Sequence, residues 1–110
     1  MRMRMSLFGI LLIGLMVIAS HVHAGIITGV NFSGPDDPHH PNIVQITIEG
    51  GFNNVDCDQT LAAIRNTDDR QHLISYALAA FVSKQPVVIV LNGVDKYFGT
   101  RCTISRISSM

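Results

Sequence analysis

Between residues 68 and 84 the apolar side chains Leu73, Ile74, Ala77, Leu78, Phe81 and Val82 recur at the three- and four-residue spacing of an amphipathic helix. No other stretch beyond residue 24 keeps that period for long, so a chain with one such helix must build the rest of its core from strands. Asp68 and Asp69 suit the positive end of the helix, Lys84 suits the other end, and Pro86 prevents continuation.

The flanking segments supply those strands. Residues 25–32 place Ile26, Val30 and Phe32 on one side and Ile27, Gly29 and Asn31 on the other; residues 42–49 alternate Val44, Ile46 and Ile48 against Gln45 and Thr47. The loop between them, residues 33–41, holds Pro35, Pro38, Pro41 and Gly34 and has no capacity for a ladder, which predicts a long-looped hairpin. Gly50-Gly51 breaks the second strand. Residues 52–55 fit either a bent continuation or a short third strand, and residues 58–65 fit one or two helical turns. Beyond the helix, the β-branched run 87–91 reads as a buried strand, Asn92-Gly93 opens a turn, residues 95–99 form a loop, and residues 101–107 form a last strand. This order predicts a mainly β fold with one central helix, a small five-stranded Greek-key barrel of the OB type, with an α+β sandwich as the alternative.

The N-terminal segment reads differently. Arg2 and Arg4 precede an apolar run over residues 7–19, and Val22 and Ala24 then stand at small-residue cleavage spacing, the pattern of a secretory signal peptide covering residues 1–24. The run is shorter than the roughly 20 residues a transmembrane helix needs. The expectation is a single domain over residues 25–110, secreted or periplasmic, with no integral membrane segment after cleavage. Cleavage there removes two of eight basic side chains and none of the eight acidic ones. A slightly acidic small domain lacks the basic footprint of nucleic-acid binding, so no nucleic-acid partner is expected.

Cys57 and Cys102 are the only cysteines, and an oxidising compartment favours their pairing. Two free reactive thiols are the rival reading. It lacks a C-x-x-C spacing or a basic neighbour, and Asp56 and Asp58 beside Cys57 would raise a thiol pKa.

No catalytic constellation stands out, so no enzyme activity and no cofactor are expected. His39 and His40 neighbour Asp36 and Asp37 in the proline-rich loop; the set has the donors for a divalent ion but reads as a solvated loop without pre-set geometry. His72 sits beside the helical stripe with no serine or cysteine partner in view. Lys96, Tyr97 and Phe98 form the stronger candidate: adjacent aromatics in a loop stack on a sugar face, bury at a subunit interface, or plug the barrel end. The loop 35–41 is a second candidate surface, and Tyr76, Ala79 and Ala80 lie off the main helical stripe.

Thr28-Gly29-Val30 in the first strand, Ile48-Glu49-Gly50 closing the second, Cys57 shortly after, and Tyr76-Ala77-Leu78 followed by Gln85-Pro86-Val87 occur in an order and spacing that resembles the B subunits of bacterial toxins of the subtilase cytotoxin, typhoid and pertussis type. The resemblance runs over most of the chain beyond residue 24. It implies an OB-fold subunit in a ring of five, with helices lining the pore, sialylated glycans bound on the outer face as receptor, and an A-type toxin subunit as partner. The family's sugar-contacting serine falls at Thr28, which keeps a hydroxyl; its tyrosine near the end of the Gln-Pro-Val strand falls at Leu91, a departure. Strand alternation sets Thr28 beside Ile26 and Val30, so a half-buried core threonine competes with the ligand reading. The functional expectation is therefore an exported non-enzymatic binding subunit. A monomeric OB-like module with an envelope or inhibitor role is the alternative.

Overall fold

A computed structural model describes residues 21–110. Most of the expected leader lies outside the described residues. Five strands and one helix follow in the order β1 (Val22–Ser33), β2 (Ile43–Ile48), β3 (Ala62–Arg65), a 3-10 turn (Asp68–Arg70) running into α1 (Gln71–Ser83), β4 (Pro86–Tyr97) and β5 (Arg101–Ser109). The strands close into a barrel in the order β1-β2-β3-β5-β4, antiparallel at every seam except the parallel β3–β5 contact. This is the arrangement of a small OB-like barrel, with the helix between β3 and β4, and not an α+β sandwich.

Closure depends on β1 serving two neighbours. Its first half pairs with β4, from Val22 opposite Val90 to Ile26 opposite Pro86, and its second half pairs with β2. The register slips between Ile27 and Gly29, so Thr28 is an extra residue, a β-bulge that bends the strand. The bulge also reverses the side-chain parity. Ile27 is buried in the core, Val30 packs against it from the next turn of the pleat, and Thr28 is exposed. The expected grouping of Ile26 with Val30 assumed an unbroken strand, and the reading of Thr28 as a core threonine falls with it.

Ile46, Phe52, Ile64, Ile89 and Ile104 are fully buried in the barrel centre, and α1 packs Leu73, Ile74, Ala77 and Ala80 against this core. The helix follows its expected span with one difference. Leu78 and Val82 face solvent, at 42% and 73% exposure, while Ala80 is buried. Lys84 takes a left-handed conformation (φ 56°), and the N–H of Gln85 donates to the Ala80 carbonyl at 3.2 Å, ending the helix immediately before β4.

Three other expectations change. Residues 52–55 form no strand; Phe52 instead drops its ring into the core while its backbone N–H donates to the Gln59 carbonyl at 2.7 Å. Residues 58–65 are not helical: the Asp58 carboxylate accepts from the N–H groups of Thr60 and Leu61, and this turn launches β3. The Asn92-Gly93 pair does not turn the chain, because β4 continues to Tyr97 over an irregular register and the reversal comes at residues 98–100. Asn92 Oδ1 accepts from the N–H groups of Val94 and Asp95, which gives the local bend without a hairpin.

Cys57 and Cys102 form a disulfide with their Cα atoms 5.3 Å apart, tying the segment before β3 to the start of β5. No helix among the described residues is long and apolar enough to cross a membrane.

Candidate functional site

Residues paired across adjacent strands of a ladder point to the same face of the sheet. The registers Gln45–Ala63, Ala63–Thr103 and Tyr97–Arg101 therefore define one outer surface of the barrel, carrying Ile43, Gln45 and Thr47 from β2, Ala63 and Arg65 from β3, Tyr97 from β4, and Arg101 and Thr103 from β5. An outer face is ordinarily wet, yet Gln45 and Thr103 are only 2% and 1% exposed and Ala63 is fully buried. A polar layer laid over them accounts for this.

One half of the layer is a hydrogen-bonded network. Asp95 Oδ1 accepts from Arg65 Nη2 at 2.8 Å, and Asp95 Oδ2 accepts from the Thr103 hydroxyl at 3.0 Å. The Arg65 guanidinium, with the Thr103 hydroxyl behind it, holds the Asp95 carboxyl below the usual carboxylate range. The other half is aromatic. Arg101 Nη1 donates to Gln45 Oε1 at 2.6 Å, and its guanidinium carbon lies 5.2 Å from the centre of the Phe98 ring. His40, from the β1–β2 loop, sets its ring edge-on to Phe98 at 4.8 Å and its Nδ1 at 3.3 Å from the Tyr97 hydroxyl.

The loops are shaped for this meeting. The Asp37 carboxylate accepts from the N–H groups of His40 and His39 at 2.7 and 2.9 Å, which folds the proline-rich loop and holds the Asp37 carboxyl below its ordinary range. Phe98 and Gly99 both adopt left-handed backbone, φ 48° and 82°. For Phe98 that conformation costs about 1–2 kcal/mol, and its contacts with His40 and Arg101 offset it.

Beyond Gln45 the same face opens into a shallow groove of about 410 Å³, lined by Gly29, Asn31, Phe32, Thr47 and Leu61 along with Gln45. At its far side the Thr28 and Thr47 hydroxyls meet at 3.2 Å. Thr28 also borders a second recess of about 310 Å³, between β1 and the end of α1, shared with Ile26, Glu49, Phe81 and Lys84. The threonine pair is thus a ridge between two hollows. From it a continuous strip runs through Gln45 and Arg101 to Phe98, Tyr97 and His40.

Among the residues singled out in the sequence, Thr28, Tyr97 and Phe98 lie at the two ends of this strip. Lys96 does not join them. Its ladder partner is Cys102, whereas that of Tyr97 is Arg101, so the lysine leaves the strand on the opposite face. His40 was legible only as a loop histidine, and Gln45 and Arg101 carried no signal beyond polar residues in strands. Leu91 is 4% exposed and belongs to the core. His72 is exposed on the first turn of α1. Among the described residues no three histidine, cysteine, aspartate or glutamate side chains converge as a metal-binding set; Asp37 is engaged by the loop backbone and His40 by the aromatic rings.

Comparison with known proteins returned no matching family model, no matching curated protein and no matching solved structure.

Proposed function

We propose that the chain is an exported, non-enzymatic binding subunit that recognises carbohydrate on the outer face of its barrel and works as a ring of identical subunits beside a catalytic A-type partner. The observation that carries the reading is the meeting of the β1–β2 loop with the β4–β5 turn, where His40, Tyr97, Phe98 and Arg101 form one patch continuous with the groove along β2. OB barrels characteristically bind oligomeric ligands, oligosaccharides among them, with these two loops and the face of strands 2 and 3. Sugars suit such a surface. Their C–H faces stack on rings, and their hydroxyls need the paired donors and acceptors that Arg101, Thr47 and Thr28 supply. The resemblance to toxin B subunits supports the same reading, with Thr28 lining the recess beside α1 and its hydroxyl meeting Thr47, which lines the groove along β2. Ring assembly draws support from α1, whose outer side leaves Tyr76 at 40% and Val82 at 73% exposure.

A glycan array of the disulfide-intact protein tests the reading, with light scattering of the same sample. Bound glycans and five times the chain mass are the expected results. Phe98→Ala and Thr28→Ala then separate the two ends of the strip, and an empty array from folded protein sinks the carbohydrate assignment. One observation favours the second reading, a monomeric OB-like module with an envelope or inhibitor role: with Leu91 buried, no side chain at that position reaches a ligand as the family's tyrosine does. A concentration-independent monomer would decide for it.

A further inference from the structure

The leader offers two bonds at small-residue spacing. Val22 and Ala24 precede one, and Val17 and Ala19 precede the other, five residues upstream. We propose that the Ala19–Ser20 bond is the processing site, so that the mature chain begins at Ser20. The proposal rests on the export reading and goes beyond it by choosing the bond.

The choice follows from what residues 21–24 do in the barrel. β1 meets β4 through five register pairs: Val22–Val90, His23–Ile89, Ala24–Val88, Gly25–Val87 and Ile26–Pro86. A cut after Ala24 deletes the first three. Of the two left, one faces Pro86, which has no N–H to give. The seam that closes the barrel would then be a single effective rung, with the backbone of residues 88–91 exposed as an open strand edge.

The side chains agree. His23 is 8% exposed and sets its ring edge-on to Phe52 at 5.5 Å, covering the aromatic side chain that fills the core on that side. The His21 carbonyl accepts from the Leu91 N–H at 2.9 Å. Its imidazole Nε2 stands 3.6 Å from Asp56 Oδ2 and lies so close over Gly93 that a Cβ there would sit 2.5 Å from it. The absence of a Cβ at residue 93 leaves the space that the His21 ring occupies. Residues 21–26 are thus built into the seam that closes the barrel, and the upstream bond leaves all of them in place.

The chemistry is hydrolysis by a membrane-bound leader peptidase. Water gives its oxygen to the Ala19 carbonyl carbon, the C–N bond breaks, and the proton goes to the Ser20 nitrogen; the products are a leader ending in a carboxylate and a chain beginning with an α-ammonium group. Ile18 at the corresponding position makes the next bond, after Ser20, a poorer match to the small-residue pattern.

The test is expression of the full chain in an export-competent bacterial host, followed by N-terminal sequencing and intact mass of the exported protein. The expected N-terminus is Ser-His-Val-His-Ala. A product starting Gly-Ile-Ile-Thr overturns the proposal while leaving export intact, and a product still starting at Met1 overturns both. Two variants check the bond independently: Ala19→Leu should cut the processed fraction at least tenfold, whereas Ala24→Leu, at an exposed strand position, should leave processing unchanged. The reverse pattern would assign the site to Ala24.

Discussion

Removing the Cys57–Cys102 crosslink should lower the stability of the barrel by roughly 4 kcal/mol in the chain-entropy model, because the bond spans 45 residues and the denatured chain regains the freedom of that loop. Cys102 is fully buried and Cys57 7% exposed, so Cys57→Ala with Cys102→Ala adds a packing loss of about 1 kcal/mol to the entropic one. The assay is urea unfolding of the oxidised protein, the reduced protein and the double alanine variant. With a slope of about 1–2 kcal/mol per molar for a domain of this size, reduction should move the midpoint down by about 2–4 M. The slope itself should rise, since an uncrosslinked denatured chain exposes more surface. The loop before β3 adds a spatial expectation. It is held to the barrel by the disulfide and by the Asp58 N–H donating to the Thr100 carbonyl at 2.7 Å, so amide exchange on reduction should quicken there before it quickens in β2 or β4. A midpoint shift below about 0.5 M, with complete reduction verified by thiol titration, would refute the loop-entropy reasoning.

Arg101→Ala leaves the buried Gln45 amide without its charged partner and removes the guanidinium from the Phe98 ring; a loss of about 2 kcal/mol is expected by urea titration, and less than about 0.5 kcal/mol would show that water replaces the guanidinium. Gly29→Ala puts a Cβ 2.7 Å from the Thr47 hydroxyl, which should cost about 1–3 kcal/mol. Adding Thr47→Ala should recover most of that, and a double-mutant cycle showing no coupling would remove the clash from the account. Burial, with His21 nearby, holds the His23 imidazole below its ordinary value, so folding favours the neutral ring. The stability this carries is present above the unfolded value of about 6.5 and is lost as pH falls through the folded value. His23→Leu should therefore flatten the decline between neutral pH and pH 5 in a thermal-melt series, and an unchanged slope would place the acid sensitivity elsewhere.

The second strand, the helix and the crosslink of this barrel are readable from sequence because each keeps a regular signal: a period of two in β2, a helical period in α1 and a single possible cysteine pair. Val44, Ile46 and Ile48 all face inward as their alternation requires, the helix occupies its expected span, and the two cysteines pair. β3 was missed for a physical reason. Ala62, Ala63 and Ile64 are all buried, so a four-residue strand covered on both faces shows no alternation, and its capping aspartate resembles a helix start. The β4–β5 reversal was misplaced because Asn92-Gly93 is a common turn pair, whereas here the asparagine amide folds back on its own backbone and the strand runs on.

The outer face was legible only in fragments, and the breaks in the ladder explain why. Thr28 is the bulged residue of β1, the β4–β5 register slips between Asn92 and Lys96, and Phe98 turns the chain in a left-handed conformation. Each irregularity re-aims side chains that a regular strand would have sent elsewhere. The first brings Thr28 outward to meet Thr47, the second lays Asp95 over Thr103, and the third stands Phe98 between His40 and Arg101. Bulges concentrate at barrel rims and beside functional sites because re-aiming is what they do. A period-two reading sees them as noise, so the polar layer over Gln45 and Thr103 has no counterpart in the hydrophobic pattern. The candidate face begins and ends at departures from regular strand geometry, and its residues are held there by contacts between segments as far apart in the chain as His40 and Tyr97.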